Sequence, residues 1–91
     1  MGKDVEFKNR DRFVQLGIAI ATLRRIRGMS QDDLAAEAHI SRGLLSRIEA
    51  PNMAHNFTLE VFYNIADALD VTPEQLITAS VLPDGIIGKN D

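Results

Sequence analysis

The feature that most constrains the fold is a pair of short helices joined by only two residues. Ser30 is a favourable N-cap, and the apolar spacing that follows it predicts a helix over residues 31–38. Ser41 is a second N-cap two residues later and predicts another helix over residues 42–49. A connection this tight forces the two helices to cross steeply, as in a helix-turn-helix unit. Because helices of about two turns are marginal alone, both must pack against further helices.

Helical spacing of apolar residues predicts three more helices and no strands. The first ends where Gly28 offers a left-handed residue, and the last begins with the N-cap Thr72, a proline at the first helical position and Gln75 at the capping-box site. We expect these helices over about residues 12–27, 59–69 and 73–79, with Thr58 as the N-cap of the second of them. The predicted fold class is therefore all-α, with five helices.

The chain divides by composition into a short lead-in, one domain and a tail. Residues 1–12 alternate charges and are predicted to be a flexible lead-in, residues 13–79 form the domain, and residues 80–91 form a C-terminal tail. The tail is richer in apolar residues than a solvated segment needs, and part of the fourth helix also has apolar residues off its main face. These residues either fold back on the domain or form a two-fold dimer interface: Val61, Tyr63, Ala68, Val81, Leu82, Ile86 and Ile87.

Composition excludes several classes of protein. The 91 residues suffice for one small domain, and the absence of cysteine excludes disulfides, thiolate metal sites and cysteine nucleophiles. The longest apolar stretch is too short to span a membrane, and no signal-peptide pattern opens the chain. We expect a cytoplasmic protein with no membrane association.

The charge is unevenly distributed along the chain. The net charge of −3 argues weakly against a nucleic-acid partner, yet residues 50–91 carry one base against six acids, so the acidity belongs to the C-terminal half. The bases lie almost entirely before residue 50, and seven of the ten are arginines. Arginine favours forked recognition of phosphates and of base edges.

One side of the helix over residues 42–49 is predicted to be polar and exposed. At about 100° per residue, Leu45 and Ile48 fall on a buried side and Leu44 at its border. The opposite side carries Arg42, Gly43, Ser46 and Arg47, two arginines and a hydroxyl around a gap. Such a face suits base edges in the major groove and the flanking phosphates.

The stretches LGIAIATLRRIRGMSQDDLAAEAHISRGLLSRIEA and LEVFYNIADALDVTPEQL resemble the Cro/CI-type (XRE) helix-turn-helix family. The resemblance covers about residues 13–78. It implies a five-helix, lambda-repressor-like domain with its helix-turn-helix in the second and third helices. It further implies a homodimer that binds double-stranded operator DNA and regulates transcription, most simply as a repressor.

The resemblance also implies roles for individual residues. Gln31 matches a phosphate contact, and Arg24 and Glu49 match an internal salt bridge between the first and third helices. The positions that match the groove-facing residues are Ser41, Arg42, Gly43, Ser46 and Arg47.

The sequence departs from the family pattern at several positions. His39 stands where glycine is usual, so a left-handed backbone there is strained. Ala50 likewise replaces a usual glycine, and Leu44 replaces a small hydroxyl residue and is expected to contact a thymine methyl or a partner. The loop over residues 52–56 lacks lysines, which leaves backbone N–H groups near Thr58 to hold phosphate.

No catalytic or cofactor site is predicted. His39, Ser41 and Ser46 lack an acid that would orient the histidine for nucleophilic catalysis, and His39 and His55 have no partners for a metal. One alternative remains open, because the acidic charge and the base-poor loop also fit a protein-interaction module of the same fold. Such a module would bind DNA weakly or not at all and would pair with a protein, such as a toxin or another regulator.

Overall fold

The computed structural model describes residues 7–89 and the side chains of residues 7–81. This part of the chain forms five α-helices and no strand. Their bounds are α1 (Arg10–Ile26), α2 (Gln31–Ala38), α3 (Arg42–Glu49), α4 (Leu59–Ala68) and α5 (Pro73–Lys89). The predicted all-α, five-helix fold is confirmed.

Side-chain caps fix where four of the helices begin. Ser30 accepts a hydrogen bond from the Asp33 backbone N–H at 3.0 Å, and the Asp33 carboxylate accepts one in return from the Ser30 N–H. Thr72 and Gln75 form the same reciprocal box at the start of α5. Ser41 and Thr58 cap α3 and α4 through single bonds, with donor–acceptor distances of 3.0 and 3.2 Å. Each cap satisfies a backbone N–H that would otherwise lack a partner.

The core lies where α1, α2, α3 and α4 meet, and α5 closes it against α1 and α4. Its fully buried large side chains are Ile20, Leu34, Leu45, Ile48, Ile65, Leu69 and Leu76. Burying each of them contributes about 1.5–3 kcal/mol relative to exposure. Arg27 joins the ends of two helices, since its Nε donates to the Leu69 carbonyl oxygen at 2.9 Å.

Gly17 allows α1 and α3 to approach each other closely. A Cβ atom at this position would overlap the carbonyl oxygen of Ile48, and it would lie 3.0 Å from the Ile48 carbonyl carbon and 3.4 Å from Glu49 Cα. All three atoms belong to the α3 backbone, so no side-chain rotation could make room. The closeness of this contact sets the position of α3 on the scaffold.

The structure differs from the sequence predictions at both ends of the chain. α1 begins at Arg10, so the last three residues of the predicted flexible lead-in, 10–12, are helical. Residues 1–6 lie outside the described part. The prediction that α5 ends near Ala79 is wrong, because α5 continues to Lys89. Residues 80–89 of the predicted C-terminal tail are therefore helical. α5 thus continues through Pro83, although a proline inside a helix lacks one hydrogen-bonding N–H and its ring crowds the carbonyl of the preceding turn. Residues 90 and 91 lie outside the described part, as do the side chains of Leu82, Ile86 and Ile87.

Candidate nucleic-acid interface

The turn between α2 and α3 is closed by a residue in the left-handed conformation. His39 has φ 60° and ψ 40°, as expected where glycine would be favoured. Its N–H donates to the Ala36 carbonyl at 3.2 Å, and the Ile40 N–H donates to the Ala35 carbonyl at 3.0 Å. These bonds end α2 and return the chain at once into Ser41, the cap of α3. The predicted helix-turn-helix geometry is therefore built by backbone hydrogen bonds across two residues.

The outward side of α3 carries the predicted polar face. Ser41, Arg42, Gly43, Ser46 and Arg47 are all exposed, whereas Leu45 and Ile48 are completely buried. Around Gly43 the surface is open, because a Cβ there would meet only Arg47 Nη1 at 3.8 Å and Ser41 Oγ at 4.0 Å. We call these five exposed residues the α3 face. It offers two guanidinium groups and two hydroxyls around a shallow gap.

Leu44 does not belong to this exposed face. It is half-buried and packs against the core, while its backbone N–H donates to Ser41 Oγ. The assignment of Leu44 to a thymine methyl or a partner stays a prediction, and only the accessible part of its side chain is available for such a contact.

A buried ion pair connects α3 to α1. Arg24 Nε and Nη2 donate to the two carboxylate oxygens of Glu49 at 2.8 and 3.0 Å, and Arg24 Nη1 donates to the Met29 carbonyl at 2.8 Å. Arg24 is 8% exposed and Glu49 6%. The hydrogen bonds to Glu49 raise the pKa of the Arg24 guanidinium, although burial opposes the shift. This fork-to-fork arrangement fixes the end of α3 in both position and orientation.

Gln31 extends this pair to α2. Its Nε2 donates to Glu49 Oε1 at 2.9 Å, and the residue is half-buried. An amide nitrogen carries two hydrogens, so one remains for a phosphate at the start of α2. Gln31 thus ties three helices together through a single carboxylate, a role that the sequence reasoning did not assign to it.

Asp32 is a residue near the α3 face that the sequence reasoning missed. Its Oδ1 lies 3.5 Å from Arg42 Nε, and both side chains are well exposed. The two residues are ten apart, and only the tight turn brings the first turn of α2 next to that of α3. The sequence signal for this pair is a carboxylate in the first turn of one helix and a base in the first turn of the next.

Thr58 lies at the start of α4 and is exposed. Its Oγ1 accepts from the Val61 N–H, which leaves its own hydroxyl hydrogen free to donate to an oxygen such as that of a phosphate. Phe57, just before it, is half-buried against the core.

A sequence profile of the helix-turn-helix domain family matches residues 17–80, well over half of the chain. The chain belongs to the helix-turn-helix domain family. It is of the XRE type, and it carries a DNA-binding domain of the lambda-repressor-like fold.

Two restriction-modification controller proteins of known structure resemble this helix-turn-helix domain. C.AhdI from Aeromonas hydrophila is 30% identical with a TM-score of 0.65, and the match covers 70% of this chain and 94% of that chain. Wild-type C.Esp1396I has a TM-score of 0.66 and 24% identity, over 87% of this chain and 99% of that chain, and this likeness shows the fold alone. None of the curated proteins matches the chain significantly.

Two further findings concern the described part of this helix-turn-helix chain. Across residues 7–81, whose side chains the structure describes, no group of three or more histidine, aspartate or glutamate residues could hold a metal ion. In the same range, no helix has both the length and the apolar character needed to cross a membrane.

Proposed function

We propose that this XRE-type protein is a sequence-specific regulator of transcription that binds double-stranded DNA through the α3 face, as a homodimer, and represses the genes it controls. The observation that carries the proposal is the combination of this exposed, arginine-bearing face with the buried Arg24–Glu49 pair behind it. A recognition surface must be exposed, and it must also be held rigidly enough to match the spacing of base edges.

The chemistry of the α3 face fits the major groove. The planar fork of Arg47 can donate two hydrogen bonds to O6 and N7 of guanine, a contact worth about 1–3 kcal/mol of discrimination against the wrong base. The hydroxyl groups of Ser41 and Ser46 can both donate and accept hydrogen bonds, so they suit phosphates or base edges next to the Arg47 contact. Gly43 lets the backbone of α3 approach the DNA without a side chain in between.

Arg42 must exchange partners when DNA binds. In the free chain it lies beside Asp32, and because both groups are exposed this pair contributes at most about 1 kcal/mol. A phosphate or guanine edge offers the same guanidinium a bidentate partner. The Asp32 carboxylate then stays close to the DNA, where it disfavours loosely placed phosphates.

The remaining contacts position the domain along the DNA. The second amide hydrogen of Gln31 and the hydroxyl of Thr58 lie at the starts of α2 and α4, where backbone N–H groups also favour a phosphate. Phosphate contacts supply register and affinity without sequence preference. A homodimer would place two α3 faces on half-sites about 34 Å apart.

The similarity to the restriction-modification controller protein C.AhdI supports a role in controlling transcription. We propose that this chain acts by binding rather than by catalysis and in the cytoplasm, with access to the DNA that it regulates.

A second candidate function is a protein-interaction module of the same fold, in which the α3 face contacts a protein partner such as a toxin or another regulator. The charge distribution favours it, because residues 50–91 contain a single base and the whole chain carries −3. Such a module would bind duplex DNA weakly and without sequence preference.

Binding to genomic DNA fragments across a salt series distinguishes the two functions. We expect one or a few fragments to be retarded at submicromolar protein, with affinity that falls steeply as salt rises. Arg47→Ala should weaken binding to those fragments by about 1–3 kcal/mol, or roughly 5- to 150-fold, while the domain stays folded. Arg25→Ala removes an equal charge from an exposed position on α1 and serves as the matched control. No salt-sensitive retardation at micromolar protein would favour the interaction module.

A further inference from the structure

Three phenylalanine rings join the start of α1 to the start of α4. The centroids of Phe7 and Phe13 are 5.5 Å apart, and those of Phe13 and Phe57 are 5.2 Å apart at an interplanar angle of 90°. Both are edge-to-face contacts in the favourable range. Because Phe57 directly precedes Thr58, this aromatic row holds residues 7–12 beside the N-terminus of α4.

The segment held in this way is basic. We call residues 8–12 the N-terminal basic segment: Lys8, Arg10 and Arg12 are exposed in it, against the single acid Asp11. The Arg10 guanidinium carbon lies 5.1 Å from the centroid of the Phe7 ring. A guanidinium stacked on a ring keeps its N–H edge free to donate within its own plane.

Arg12 is also held by a local bond. Its Nη1 donates to Asn9 Oδ1 at 2.8 Å, so the side chain lies back along the segment rather than along α1. A guanidinium has five N–H donors, and this bond uses one of them. Both arginines are thus partly ordered before any partner binds, which reduces the entropy lost on binding.

The neighbouring part of the proposed DNA interface lacks bases of its own. Residues 50–58, which lead into α4, contain neither lysine nor arginine. The N-terminal basic segment lies outside residues 17–80, where the family profile matches, so the helix-turn-helix resemblance assigns it no role.

We propose that the N-terminal basic segment is an added phosphate-binding arm of the DNA interface, which the aromatic row positions beside Thr58. Lys8, Arg10 and Arg12 supply there the cations that the loop before α4 lacks. The inference rests on the proposed DNA-binding function and extends its footprint along the phosphate backbone beyond the contacts of α2, α3 and α4.

Salt dependence of binding to a mixed-sequence 20-bp duplex tests the arm without knowledge of the operator. Each phosphate contact contributes about 0.9 to the slope of log affinity against log salt. The triple variant Lys8→Gln, Arg10→Gln, Arg12→Gln should therefore lose about 2.7 from that slope for each protomer bound to the duplex. For each such protomer, the affinity should fall about 40-fold less than that of the wild type between 50 and 200 mM salt. Fluorescence anisotropy of the labelled duplex measures the affinity at each salt concentration and therefore the slope.

Two further variants separate local contact from total charge. Arg10→Gln and Arg25→Gln each remove one charge from an exposed position, about 22 Å apart along α1. Arg10→Gln should lose about 0.9 from the slope for each bound protomer, and Arg25→Gln should lose none. Phe7→Ala keeps every charge but removes the ring under Arg10, and it should lower affinity several-fold.

Three results would each overturn the proposed phosphate-binding arm. These are an unchanged slope in the triple variant, equal losses of slope for Arg10→Gln and Arg25→Gln, and unchanged affinity in Phe7→Ala. If the wild type itself shows no salt-dependent binding to the duplex, the proposed function fails, and the arm fails with it. Circular dichroism of every variant shows whether the domain is folded. Lys8, Arg10, Arg12 and Arg25 are exposed and Phe7 is half-buried, so we expect all variants to fold.

Discussion

Gly17→Ala should destabilise the domain, although alanine is the better helix former. Inside a helix, the higher helix propensity of alanine alone stabilises the folded state by about 0.8–1 kcal/mol. At Gly17 the added methyl group overlaps the Ile48 carbonyl oxygen of α3, and this contact cannot relax by a side-chain rotation. Overpacking usually costs about 1–3 kcal/mol. A displaced α3 also pulls Glu49 away from Arg24, whose Nε lies 2.8 Å from Glu49 Oε2. The overpacking cost exceeds the helix-propensity gain by up to about 2 kcal/mol, and the disturbed ion pair adds to the cost. We therefore expect the free energy of unfolding to fall by about 2 kcal/mol.

Gly43→Ala is the matched control, since it makes the same change in a helix with open space around the new methyl group. It should be neutral or stabilise the domain by up to about 1 kcal/mol. Urea unfolding followed by circular dichroism at one fixed protein concentration measures both variants. At about 4–8 °C per kcal/mol, Gly17→Ala should melt about 8–16 °C lower than the wild type.

DNA affinity gives a second measure of the same displacement. Gly17→Ala should weaken binding through the α3 face even under conditions where the variant is fully folded, because the face moves relative to α2 and α4. A Gly17→Ala variant as stable as the wild type, or stability changes of the same sign in both variants, would refute the close approach of α1 to α3.

Further predictions concern the buried pair, the α2 cap and α5. Glu49→Ala leaves Arg24 buried without a counter-ion and should cost about 3–5 kcal/mol in urea unfolding, and an unaltered midpoint would contradict the pair. The hydrogen bonds from Ser30 lower the pKa of Asp33, so its stabilisation is present above its ordinary value of about 3.9 and is lost as the pH falls through the lower folded value. Wild type should therefore exceed Asp33→Asn in stability at pH 7 and approach it near pH 3, whereas a constant gap would exclude the charged cap. Truncation after Ala79 should abolish the homodimer in sedimentation if α5 forms the interface, and a dimer that persists removes residues 80–91 from it.

Local signals in the sequence predicted most of the helices correctly. The caps at Ser30, Ser41, Thr58 and Thr72 involve residues three positions apart, so the sequence contains all the information that they need. The left-handed residue at Gly28, with φ 73°, is likewise local. The end of α5 was missed because Pro83 is a strong local signal that the observed helix overrides.

The α3 face was predictable only in part. Periodicity along α3 correctly separated the exposed arginines from buried Leu45 and Ile48, because this depends on helix geometry alone. Periodicity could not show that Gln31 bonds to Glu49, or that Asp32 lies beside Arg42. Both contacts cross between helices, and their geometry depends on the angle that the turn at His39 imposes.

The amino-acid sequence by itself determined where α2, α3, α4 and α5 begin and which side of α3 is apolar, since caps and periodicity act over three or four residues. The tertiary structure alone decided how closely α1 and α3 approach at Gly17, which helix the amide of Gln31 contacts, and what surrounds the first turn of α1. These features join residues 18 to 44 positions apart, as Gln31 and Glu49 or Phe13 and Phe57 do. Such contacts form only once the packed helices have brought distant parts of the chain together.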